Sequence, residues 1–146
     1  MSFPLPVIMK ENPTLLVFKD KIFTVGKDTF IDCSATNGNA VIFEDNEETG
    51  YFYAVDQNNE LNILDALHIY NVSDVVDKNK PSNIKIIWTD NFTKAILSIN
   101  NYYHAIFDFK EHAGYCRNAF PNSKSNWTRV KDRLLTDELI MELLKR

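Results

Sequence analysis

KAILSINNYYHAIFDFKEHAGYCR, residues 94–117, is the stretch whose reading decides the fold. It contains two β-rich runs, Lys94 to Ile99 and Tyr102 to Phe109, with Asn100-Asn101 between them. Asn tolerates positive φ, so this pair can form the two-residue type I′ turn of a β-hairpin. That turn pairs Ile99 with Tyr102, Leu97 with His104 and Ala95 with Ile106. With Asp90 to Thr93 as the preceding loop, Trp88 pairs with Ala95, Ile86 with Leu97 and Ile84 with Ile99. One face then carries Ile84, Ile86, Trp88, Ala95, Leu97, Ile99, Tyr102, His104 and Ile106. This turn-derived register yields a consistent apolar face, which supports a three-strand meander. It also places His104 and Asp108 on that face.

Upstream, Ala40-Val41-Ile42-Phe43 and Gly50 to Val55 flank the acidic run Glu44-Asp45-Asn46-Glu47-Glu48, predicting a second hairpin. Thr36-Asn37-Gly38-Asn39 is a turn signal. Leu15 to Phe18 and Ile22 to Val25 read as two short strands joined by a tight turn at Lys19-Asp20-Lys21. Leu61 to Val72 fits either period and is read as a strand. Ser73 to Pro81 reads as a charged connector with one helical turn near Asp74-Val75-Val76. Residues 1–13 hold three of the five prolines and read as an extended arm. Residues 126–146 read as helical, in two pieces. Asn126 caps the first, with Trp127, Val130 and Leu134 on one face. Thr136 caps the second, with Asp137 and Glu138 in its first turn and Leu139, Ile140, Leu143 and Leu144 as its apolar stripe. The expected fold is α+β: a mostly antiparallel meander with a C-terminal helix packed at one face or end. At 146 residues the chain suits one domain.

Composition limits the function classes. The net charge of −4 disfavours general nucleic-acid binding, which needs clustered Lys and Arg. It suits a basic protein partner. Cys33 and Cys116 form no CxxC pair and read as free thiols of a reducing, cytoplasmic compartment. No secretory signal is expected in MSFPLPVIMKEN, and no run is long and apolar enough to span a membrane.

Two constellations could carry function. Trp88, His104, Asp108, Tyr115 and Arg117 would together form a pocket with aromatic walls, a His–carboxylate pair and an anion clamp. Against it, His104 and Asp108 would lie about 13 Å apart along an extended strand. The plain alternative is a hydrogen-bonded core histidine and a solvated aspartate. The acidic loop, with Glu44, Asp45, Glu47 and Glu48, reads either as a docking patch for a basic partner or as a solvated hairpin tip. It lacks calcium-loop spacing. His104, His112 and Cys116 match no zinc signature, and Cys116 shows no clear base, so no metal, cofactor or catalytic residue is expected.

The strings GNAVIFEDNEETGYFYAVD, ILDALHIYNV and HAIFDFKEHAGYCRNAFP resemble an uncharacterised family of small bacterial proteins (a domain of unknown function, DUF2251-like). The resemblance covers residues 38–127 and implies a bacterial origin and a single-domain form, with no mechanism attached. The leading functional expectation is a non-catalytic binding protein, most concretely an immunity protein that neutralises a basic toxin. The alternative is a small-molecule-binding domain or small enzyme with its pocket near Trp88, His104 and Arg117. A homodimer through an exposed edge strand is a third reading.

Overall fold

The computed structural model describes residues 14–58, 62–121 and 126–145. Nine strands follow in order: β1 (Leu15–Phe23), β2 (Thr29–Ser34), β3 (Asn39–Asp45), β4 (Thr49–Asp56), β5 (Asn62–Asn71), β6 (Ser82–Thr89), β7 (Lys94–Ile99), β8 (Tyr102–Asp108) and β9 (Ala113–Cys116). A 3₁₀ turn spans Val72–Asp74, and the helix α1 spans Asp137–Leu143. The strands form two antiparallel sheets. The first has the order β1-β6-β7-β8-β9, and the second is the simple meander β2-β3-β4-β5, inserted in sequence between β1 and β6. The class is α+β, as expected.

The main core lies between the sheets. Phe43, Phe52 and Leu67 of the second meet Ile86, Trp88, Leu97 and Phe107 of the first, and the Phe52 and Phe107 rings are 5.1 Å apart. A second apolar cluster covers the other face of the first sheet. There Ile87, Ile96 and Ile106 pack under Leu135, Ile140 and Leu143. All six residues of β7 are therefore buried, as befits a strand covered on both faces.

Asn100 and Asn101 have φ of 53° and 64°, so the expected hairpin turn forms, and Ile99 pairs with Tyr102. The β6–β7 register is also as read, with Ile84, Ile86 and Trp88 against Ile99, Leu97 and Ala95. The β8 register is not. Ser98 pairs with Tyr103 and Leu97 with Ala105, so His104 is the extra residue of a β-bulge. Beyond it every side chain changes face. Ala105 and Phe107 enter the main core, while Ile106 joins the outer cluster. Both faces of β8 are apolar, so alternation alone could not set its register.

Two further expectations are corrected. Leu15 to Phe23 is one nine-residue strand with a bulge between Val17 and Lys19, not two strands and a turn. Lys19-Asp20-Lys21 contains no turn-forming Gly, Pro or Asn. It pairs along Ile86, Lys85 and Ile84 as a charged edge strand. At the C-terminus only Asp137–Leu143 is helical, capped as expected by Thr136, whose hydroxyl accepts from the Leu139 N–H. Asn126 caps no helix. Residues 126–136 instead run alongside β9, where the Cys116 N–H donates to the Arg133 carbonyl and the Leu135 N–H to the Cys116 carbonyl. Residues 62–71 are a strand, as read. The expected arm at 1–13 lies outside the described residues.

Candidate functional site

Alternation along the second sheet sends Ile31, Cys33, Phe43 and Phe52 inward and leaves a broad outer face. Two cross-strand rows cover it. One runs Phe30, Glu44, Tyr51, His68, and the other Asp32, Ile42, Tyr53, Ala66. The rings form a continuous ladder. Tyr53 stacks on Tyr51 at 5.7 Å, His68 meets Tyr51 edge-on at 5.7 Å, and Phe120 meets His68 edge-on at 5.3 Å. Phe30 and Phe120 are 60% and 52% exposed, so both ends of the face offer aromatic surface to a partner.

The ladder is held in place by polar bonds. The Asn118 amide donates to His68 Nδ1 at 3.1 Å, and His68 Nε2 donates to Asn71 Oδ1 at 2.9 Å. Asn71 donates in turn to Asp74 at 3.2 Å. These bonds select the Nε2–H tautomer of His68. The loop carrying Phe120 is fastened by the His68 N–H, which donates to the Phe120 carbonyl. The Tyr53 hydroxyl donates to Glu44 at 3.0 Å, and burial followed by that carboxylate raises the Tyr53 pKa. An open cleft of about 730 Å³ continues the face past Tyr51, His68, Asn71, Asn118 and Phe120.

The charge of this half of the molecule is one-sided. From Asp28 to Asp77 the sequence holds eleven acidic residues and no Lys or Arg. All four strands of the second sheet lie inside that interval. The signal was present in the sequence as a fifty-residue gap between Lys27 and Lys78. It is invisible to net charge, because the flanking segments are basic. The aromatic ladder had no such signal, since it depends on which strands become neighbours.

The predicted acidic patch is only partly a surface. Asp45 is fully buried and accepts from the Gly26 N–H, the Glu47 N–H and the Tyr70 hydroxyl, at 2.8, 2.8 and 2.6 Å. It fastens the hairpin from within. Glu44 is half-buried on the ladder, while Glu47 and Glu48 are exposed at the tip.

The five residues proposed as one pocket do not converge. Trp88 is fully buried in the main core, and its Nε1–H points at Cys33 Sγ, 3.3 Å away. Asp108 is buried on the opposite face of β8 from His104, opposite Lys94 in register, and accepts from the Lys110 and Glu111 N–H groups. Tyr115 belongs to the cluster under α1. Arg117 lies over the Tyr102 ring at 4.2 Å, donates to the Tyr103 carbonyl and pairs with Asp137 at 3.0 Å. His104 lies beyond Tyr102, edge-on to its ring at 5.0 Å. The Cys116 thiol is buried, which raises its pKa, and it donates to Asn118 Oδ1. Such a thiol is a poor nucleophile. His112 is occupied elsewhere, stacked on Trp127. Among the described residues no three His, Cys, Asp or Glu side chains gather as a metal site. Nor, among them, is any helix long and apolar enough to cross a membrane.

With this geometry in view, the chain belongs to the bacterial family of uncharacterised conserved proteins DUF2251, whose model matches residues 23–144. It is 44% identical over 93 residues to an uncharacterised protein of Haemophilus influenzae, across 62% of this chain and 58% of that relative. The chain thus matches little more than half of the relative's length. No solved structure matches it.

Proposed function

We propose that this is a non-catalytic binding protein whose working surface is the outer face of the second sheet, and that its partner is a protein with a basic surface. The observation that carries the reading is the coincidence of an aromatic ladder with a sheet free of Lys and Arg. Tyr and Phe are over-represented at interface centres, where they bury large area at low entropic cost. An acidic surround steers a basic partner and rejects acidic ones. The most concrete form is an immunity protein that covers a basic toxin in the bacterial cytoplasm. The two buried free thiols fit that compartment.

The test is affinity capture from lysate of the source bacterium at low and high salt. It compares the native protein with an Asp32→Lys, Glu48→Lys variant, a Tyr51→Ala variant and a first-sheet control, Lys85→Glu. The expected result is one basic protein, lost at high salt and from both second-sheet variants but kept by the control. Capture that ignores the second-sheet substitutions would remove this face from the interface.

A further inference from the structure

The bulge at His104 turns its imidazole into a separate space. Where β8 begins and the 72–82 connector crosses the end of the sandwich, a cavity of about 550 Å³ opens between the two sheets. Its floor is apolar, made by Val25, Ile99 and Val75 at the edge of the main core. The Tyr102 ring lies edge-on to the imidazole at 5.0 Å. Exposed Lys78 and Lys80 stand at the mouth. Neither lysine has an ion-pair partner among the described residues.

His104 is the unusual member of this lining. It is half-buried, and neither ring nitrogen has a hydrogen-bond partner among the described residues. His68, by contrast, uses both of its ring nitrogens. A half-buried polar group without a protein partner is open to water or to a ligand that enters the cavity. Burial, reinforced by the Arg117 charge, lowers its pKa to about 4. The ring is therefore neutral at pH 7 and offers one N–H donor and one lone pair. A hydroxyl group, which both donates and accepts, matches that pair. Arg117 cannot serve the cavity as an anion clamp, because it lies outside its lining and is already paired with Asp137.

We propose that this cavity binds a small aromatic carboxylate bearing a hydroxyl at the far end of its ring. The hydroxyl meets His104, the ring lies among Val25, Val75, Ile99 and Tyr102, and the carboxylate emerges between Lys78 and Lys80. The volume is within the usual range for small-ligand sites, roughly 300–1,000 Å³. Lys78 and Lys80 outnumber the one carboxylate of the lining, Asp77, and so favour an anionic, amphipathic ligand. The site adjoins the cleft that continues the acidic outer face, sharing Tyr70 and Val75 with it, but does not depend on that reading.

The probes are 4-hydroxycinnamate and, as the partner lacking the hydroxyl, cinnamate, measured by titration calorimetry with the full chain. One-site binding is expected, with cinnamate about tenfold weaker, the worth of one hydrogen bond. A His104→Leu variant should bind both probes alike. A Lys78→Glu, Lys80→Glu variant, altered only at exposed positions, should weaken both about tenfold or more. In imidazole ring NMR spectra, the His104 signals should shift on titration while those of His68 and His112 stay. Absence of both heat and a His104 shift at millimolar probe would overturn the proposal. So would equal affinity of the two probes for the native protein.

Discussion

At the scale of single residues, the side chains with most consequence are those whose polarity conflicts with their burial. Asp45 was read as part of a docking patch, but its carboxylate bonds two backbone N–H groups and the Tyr70 hydroxyl inside the hairpin. Asp45→Ala should destabilise the protein by about 3 kcal/mol in urea unfolding, because it strands buried donors. Glu48→Ala at the exposed tip should change stability by less than about 0.5 kcal/mol. His104 makes a prediction in pH. Its folded pKa, about 4, lies below the ordinary histidine value of 6.5, so the folded state resists protonation. Between pH 6.5 and 4 the unfolded chain binds more protons, and stability must fall as pH falls through that window. Urea midpoints followed from pH 7 to 4 should show this decline for the native protein. A folded His104→Leu variant should show a slope smaller by about one proton. An unchanged slope would refute the assignment to His104.

At the scale of elements, legibility depended on whether a strand had two distinguishable faces or a turn that fixed its partner. The β7–β8 turn was legible because Asn100-Asn101 admits few alternatives, and the β6–β7 register followed from the spacing of Trp88, Ile86 and Ile84. The bulge at His104 was not legible. Ala105, Ile106 and Phe107 are all apolar, and the choice between them was made by Phe52 on the other sheet, opposite Phe107. The segment 126–136 looked helical by spacing, yet it is fastened as an extended strap by a tertiary contact no local pattern encodes. Arg133, 2% exposed, pairs with buried Asp65 of β5 at 3.1 Å, and the Thr128 hydroxyl donates to the same carboxylate. Asp65→Leu alone should cost about 3–5 kcal/mol by leaving the guanidinium uncompensated. Adding Arg133→Met should restore most of that loss. Paired thermal melts of the two variants decide the matter, and equal melts would mean that the strap does not depend on the ion pair.

At the scale of the whole molecule, the chain divides its charges between sheets. The interval Asp28–Asp77 holds eleven of the twenty Asp and Glu residues, and the sixteen Lys and Arg residues all lie outside it. Association with a basic partner should accordingly be fast and should slow steeply between low and physiological salt, by roughly tenfold or more in stopped flow. A rate indifferent to salt would argue that the rings alone drive binding. The same division has a practical corollary for the bench. Amine-reactive dyes, cross-linkers and sensor-chip couplings act on lysine, so no side chain of the second sheet can be a point of attachment. A population of molecules immobilised through its lysines would present that sheet unlabelled to the flow, and trypsin would release it as one uninterrupted peptide ending at Lys78.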